Sequence, residues 1–118
     1  KTGSKTAEMV KYFTNTFLAT KVSFANEMYN ICNQLDLDYD KVVEYATYDE
    51  RLGKSHWGVP GPDEDFGFGG HCLPKDLSAM INGFDTLGLL EAVEQVNDQV
   101  RENRDWEHMV GRAVLEDE

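Results

Sequence analysis

The sequence predicts an all-α fold, on three observations. Long stretches place apolar residues at helical spacing. No stretch alternates apolar and polar residues in a way that makes a convincing strand. All three prolines and six of the ten glycines fall within 49–75, so the rest of the chain holds no proline and only four glycines, of which Gly83 and Gly88 interrupt a helical pattern. With 118 residues there is room for one domain with a real core, residues 1–118, and little room for two. A doubly wound sheet is effectively excluded.

Segment 4–35 reads as one amphipathic helix that Ser4 can cap. Its apolar positions are Val10, Phe13, Phe17, Leu18, Val22, Ala25, Met28, Tyr29, Cys32 and Leu35. Such a helix would run about 48 Å at ~1.5 Å per residue. That is more than a small core covers, so part of its surface is expected to pack on a second chain. Asp38 is placed to cap a second helix carrying Val42, Val43 and Ala46. Segment 49–75 reads as a long loop, and loops of that length are usually functional or disordered. Trp57, Phe66 and Phe68 favour an ordered one. The helical pattern resumes after Pro74 with Leu77, Ala79, Met80, Ile81 and Phe84; Gly83 weakens it and Gly88 ends it. A last helix is expected over 89–115, through Leu89, Val93, Val96 and Val100, and less regularly Met109, Val110 and Val114.

Hydrophobic residues make up 41% and charged residues 28%, the profile of a globular chain. The net charge of −11 argues against nucleic acid, whose phosphates need clustered Lys and Arg. No apolar stretch approaches the ~20 residues that span a bilayer, so no membrane partner is expected. No charged-then-apolar leader is found, so secretion is not signalled. The two cysteines differ in setting. Cys32 lies in a helical apolar pattern, whereas Cys72 lies between glycines and a proline. A reduced, cytoplasmic context is expected.

The chemistry-bearing stretch is Gly67-Phe68-Gly69-Gly70-His71-Cys72-Leu73-Pro74-Lys75-Asp76. Three glycines in four positions allow backbone N–H groups to approach a ligand closely. A thiol near a helix start and beside a lysine is placed where the nucleophilic thiolate is favoured. Asp76, four residues on, could accept a proton from water. The residues alone leave two readings evenly open: this site, or a loop with an inert cysteine and a capping aspartate. Lys11 and Asn15, at i and i+4, share one helix face. By themselves they read best as a solvated face.

The run GFGGHCLPKD resembles the active-site signature of the UDP-glucose/GDP-mannose dehydrogenase family. The helix around Lys11 and Asn15 resembles the opening of that family's central domain, as do Val22-Ser23-Phe24-Ala25-Asn26-Glu27 and Arg51-Leu52-Gly53. The resemblance covers roughly residues 5–105. It implies a helical central domain like the C-terminal domain of 6-phosphogluconate dehydrogenase, built round one long dimer-forming helix. It also implies NAD- and UDP-binding domains that flank such a domain and are not in this chain.

The resemblance further implies an activity: oxidation of C6 of a UDP- or GDP-linked hexose to the acid, with two NAD. Cys72 would attack the intermediate aldehyde to form a thiohemiacetal, then a thioester that water hydrolyses. Lys11 would stabilise oxyanions, Asn15 would hydrogen-bond the reacting oxygen and Asp76 would help activate water. Gly67, Phe68, Gly69 and Gly70 would line the sugar site. Arg51 would reach the substrate across a homodimer, Trp57 would lie near the nucleotide, and Lys75 would face the cofactor. With a net charge of −11, local cations must hold any nucleotide sugar.

The chain departs from the family's pattern in three places. No Gly-x-Gly-x-x-Gly follows a strand. The Asn-Pro-Glu segment that supplies a hydrolytic glutamate is missing. His71 stands where a small residue is usual, a feature of the N-acetylmannosamine branch, although Leu-Pro-Lys-Asp resembles the glucose and mannose branches.

Other residues read as structure. Cys32 is expected in the core, His56 and His108 on the surface, and Glu116-Asp117-Glu118 as a solvated end. His56, His71, Cys72 and Cys32 lack zinc-ligand spacing, and no metal is expected. The competing function is a helical dimerisation module without turnover. A pure scaffold has no need of Lys11, Asn15, Cys72 and Asp76 together.

Overall fold

The computed structural model describes residues 2–62, 64–70 and 72–106, with side chains described for 4–62, 64–70 and 72–101. Four helices form: α1 (Thr2–Gln34), α2 (Tyr39–Ala46), α3 (Cys72–Gly83) and α4 (Leu89–Trp106). A short 3-10 turn, Glu50–Leu52, lies in the loop between α2 and α3. No strand occurs among the described residues.

The long first helix is borne out, but its start is not the expected one. Backbone helix begins at Thr2, so Ser4 lies inside the first turn and does not cap it. Nothing in Thr2 or Gly3 forces the chain out of helix, and a serine is tolerated within a helix at modest cost. The other end has a clear stop. Asp36 adopts φ 57°, and the Leu37 amide turns back to the Cys32 carbonyl at 2.8 Å. This left-handed closure satisfies a terminal carbonyl that has no partner further along the helix. The expected cap at Asp38 forms: its side chain accepts from the Asp40 amide at 3.1 Å.

Helix α3 begins at Cys72, two residues before Pro74, not after it. The first-turn amides of a helix have no acceptor within it, so a proline in third position removes nothing the helix needs. The helix also stops at Gly83, well short of Gly88. The last helix is described to Trp106. Met109, Val110, Val114, His108 and the acidic end lie outside the described residues.

Helix α1 is the spine on which α2, α3 and α4 pack. Its inner face carries small side chains where neighbours come close. Ala19 is fully buried, and the Ser23 hydroxyl donates to the Val93 carbonyl of α4 at 2.9 Å. One core cluster joins Ala19, Phe68, Leu77 and Val93, and so ties the loop to α1, α3 and α4. A second joins Ala25, Cys32, Tyr39 and Val59, with Trp57 and Phe66 against it. The expectation of an ordered aromatic loop therefore holds. The opposite face of α1 leaves Met9, Val10, Phe13, Phe17 and Phe24 exposed.

Candidate functional site

Two distant parts of the chain converge on Asp76. This carboxylate, in the second turn of α3, is 1% exposed. Asn15 of α1, 61 residues earlier, donates from Nδ2 to its Oδ2 at 2.7 Å. Lys11 of α1 brings Nζ to 4.0 Å from Oδ1, an ion pair rather than a hydrogen bond. Oδ1 itself has no hydrogen-bond donor among the described residues. The i, i+4 spacing that sequence alone read as a solvated pair therefore serves a contact between helices. Asn15 is partly buried, while the Lys11 side chain is 53% exposed, and its ammonium also lies 5.2 Å from the Tyr12 ring centroid. One end of the arrangement is thus buried in the protein, with the carboxylate held by Asn15, and the other presents the Lys11 ammonium at the surface.

Cys72 is the first residue of α3 and is exposed, one turn before Asp76 on the same helix. A thiolate there meets the positive end of the helix dipole. Its side chain makes no hydrogen bond among the described residues. Cys32 is buried and also a free thiol. Lys75 is exposed in the first turn of α3.

A groove of about 610 Å³ runs beside this helix start, lined by Gly67, Phe68, Gly69, Gly70 and Leu73, with His56 and Pro60 opposite. His56 is on the surface, as expected, and forms part of this wall. Two of the three glycines make room, for a reason the sequence did not show. At Gly67, φ is +73° and an added Cβ would sit 2.2 Å from Oδ1 of Asn97. At Gly69 it would sit 2.5 Å from Arg101 Nη2. The protein's own side chains thus occupy the space those glycines leave. Only Gly70, at φ +78°, opens onto free space.

Sequence reasoning missed four residues that hold this loop. Asn26 Oδ1 accepts from the Gly67 amide at 3.0 Å. Asn97 Oδ1 accepts from the Phe68 amide at 2.6 Å, and its Nδ2 donates to the Phe68 carbonyl at 3.0 Å. Arg101 pairs with Asp65 at 3.1 Å. Lys21, 8% exposed, donates to the Leu52 carbonyl at 3.1 Å and lies 4.6 Å from the Trp57 ring centroid. A signal existed for Asn97: it sits at i+4 from Val93, on an otherwise apolar face of α4.

Two expected site residues stand apart from the Asp76 group. Arg51 is exposed and bonded to Asp49, with Nη2 at 2.6 Å from Oδ2. That bond holds the Asp49 carboxyl below its usual range and raises Arg51 in return. Trp57 is half-buried. Its indole N–H donates to the Gly53 carbonyl at 2.9 Å, and its ring meets Phe24 edge-on with centroids 6.3 Å apart. Among the described residues, no group of His, Cys, Asp and Glu could hold a metal ion, and no helix is long and apolar enough to cross a membrane.

Residues 5–99 match the central domain of the UDP-glucose/GDP-mannose dehydrogenase family. The chain belongs to that family. Its similarity to curated UDP-glucose 6-dehydrogenases is substantial. It is 39% identical to TuaD of Bacillus subtilis over 105 residues, which is 86% of this chain and 22% of that protein. It is 41% identical to AglM of Haloferax volcanii over 102 residues, 83% of this chain and 23% of the relative. With the enzyme of Rickettsia bellii it shares 40% identity over 96 residues, 78% of the chain and 21% of the relative. The chain thus spans about a fifth of the length of these curated relatives. No solved structure matches it. Within this family, the convergence of Lys11, Asn15 and Asp76 joins the two motifs on which the resemblance stood.

Proposed function

We propose that this chain is the central, active-site domain of an NAD-dependent nucleotide-sugar 6-dehydrogenase that oxidises a UDP- or GDP-hexose to the uronic acid. UDP-glucose is the preferred substrate in this reading, because the relatives are named for it. The observation that carries it is the meeting of Lys11 and Asn15 with Asp76 one turn beyond Cys72.

In this reading the Cys72 sulfur attacks C6 at the aldehyde level, forming a C–S bond. Lys11 stabilises the oxyanion that develops. Asn15, held by Asp76, hydrogen-bonds the reacting oxygen. At the thioester level water adds to the same carbon, the C–S bond breaks and the thiolate departs. Asp76, whose buried Oδ1 has no hydrogen-bond donor among the described residues, helps take the proton from that water. Gly67, Phe68, Gly69 and Gly70 line the sugar's groove, Trp57 lies toward the nucleotide, and Arg51 serves the site of a second protomer. NAD is the oxidant, and Lys75 is the one candidate here to face it. No strand leading into a glycine turn and helix occurs among the described residues, so these residues do not form a dinucleotide cradle. Its binding is assigned to a flanking domain, and the chain alone should not turn over. Free thiols at both cysteines agree with a cytoplasmic setting.

A second reading, a dimerisation module without turnover, draws on the exposed Met9, Phe13, Phe17 and Phe24 of α1. The two readings share a homodimer built on that helix. They part on Cys72. Alkylation followed by peptide mapping should label Cys72 faster in the folded chain than in the same chain in urea, and Lys11→Ala should slow it. Exposure alone already favours Cys72 over Cys32, so the unfolded chain is the reference that matters. A folded-state rate no higher than the unfolded one would defeat the nucleophile and leave the scaffold.

A further inference from the structure

We propose that Asn97 is a positioning residue for the loop that carries Cys72, acting through the peptide of Phe68; this rests on reading Cys72 as the nucleophile. Asn97 belongs to α4, 25 residues beyond the cysteine, and is 7% exposed. Both polar atoms of its amide are spent on one residue. Oδ1 accepts from the Phe68 N–H at 2.6 Å and Nδ2 donates to the Phe68 carbonyl at 3.0 Å. The side chain thus pairs with Phe68 as a neighbouring strand would, fixing the peptides on both sides of it. Asn26 of α1 takes the preceding amide, that of Gly67, at 3.0 Å.

The backbone is shaped to admit this clamp. A side chain at 67 would collide with Asn97 Oδ1, and φ there is +73°. The Phe68 side chain is buried against Ala19, Leu77 and Val93, so the same residue is held from the core as well. Cys72 lies four positions beyond this fixed point. Only Gly69, Gly70 and His71 lie between, so the clamp on α4 sets where α3 starts and where its first thiol stands. An amide that merely satisfied buried polar groups would contribute stability and leave the thiol's behaviour unchanged.

The test is made on the full chain with Asn97→Leu, which removes both bonds, and Asn97→Asp, which keeps the acceptor and sets a carboxylate oxygen against the Phe68 carbonyl. Iodoacetamide labelling of Cys72 is measured across pH, with backbone amide exchange at Gly67 and Phe68. Asn97→Leu should change the Cys72 rate at least about threefold, shift its pH midpoint and leave Cys32 unlabelled. Exchange at Phe68 should rise about tenfold, as expected for losing roughly one net hydrogen bond. Asn97→Asp should fall between Asn97→Leu and wild type. Val43→Ala, a truncation against the other core cluster, should lower stability and leave the Cys72 profile as in wild type.

A folded Asn97 variant with a wild-type Cys72 rate and pH profile overturns the proposal. So does a Phe68 amide in the wild-type chain that exchanges as fast as that of Gly70, a result that needs no variant to fold. If wild-type Cys72 reacts no faster than in the unfolded chain, it is the nucleophile reading that fails. If it reacts fast but ignores Asn97, only the positioning role fails.

Discussion

The two ends of the loop between α2 and α3 are fastened by different physics. The stretch as far as Phe66 is held largely by rings: Trp57 under the Lys21 ammonium and against Phe24, and Phe66 edge-on to Tyr29. The Tyr39 hydroxyl reaches across to the Trp57 carbonyl at 2.7 Å. The second half, from Gly67 to Phe68, is held by two asparagine amides and one buried ring. Apolar anchorage is non-directional and weakens in proportion to the area lost. An amide clamp is directional, and removing it leaves a buried donor and acceptor unpaired. The half next to the thiol is the one with fixed direction.

The largest effect expected is at Phe68. Phe68→Ala should cost about 3–4 kcal/mol in denaturant unfolding, as for a buried aromatic. Trp57→Ala should cost clearly less, because that ring is only half-buried. The reverse order would break the comparison.

Glycine substitutions sharpen it. Gly67→Ala combines a left-handed φ with a collision against Asn97, and should cost about 2–3 kcal/mol. Gly70→Ala has a similar φ and open space, and should cost about 1 kcal/mol. Thermal unfolding of the two, side by side, isolates the contact with Asn97. Equal losses would mean that the clamp gives way freely.

Tyr39 probes the aromatic half. Its phenol is pushed up to about 12, chiefly by burial, with Cys32 and Asp40 adding to it. The folded chain therefore favours the protonated phenol. Its contribution is complete below the unfolded value near 10 and is lost as pH rises from there towards 12. Tyr39→Phe should cost about 1 kcal/mol at neutral pH, for the hydrogen bond to Trp57. It should also flatten the loss of stability above pH ~10. Unfolding curves at pH 7, 10 and 11 check both.

The smallest effect is at Arg51. Among the described residues its side chain is bonded to exposed Asp49, so Arg51→Ala should leave the thermal midpoint unchanged within error. A clear drop would show that the aromatic half also depends on a polar clamp.

Much of this was legible before any fold was seen. The long helix, the Asp38 cap and the ordered loop follow from periodicity, a short side chain before a helix, and aromatics amid glycines. Cys72, Lys11, Asn15 and Asp76 were legible as two motifs by resemblance. Ser4 and Pro74 misled, because a capping residue and a breaker each mark only a permitted boundary. Lys21 and Asn26 were hidden within a helix whose pattern was read for apolar residues alone. Asn97 did stand on an apolar face, but a lone polar residue there does not say which backbone it will meet.

Local chemistry determined, from the sequence by itself, that helices would form, where the chain must loop, and that a thiol would stand near a helix start. Each of these depends on near neighbours, within reach of a turn or two of chain. Tertiary structure alone decided that Asn15 turns to a carboxylate 61 residues away and that Lys11 joins it there, and that two of the glycines by the thiol make room for Asn97 and Arg101. Those pairings join segments far apart in sequence. Their partners are chosen by which faces the core brings together, and helical spacing fixes a face without naming what will lie against it.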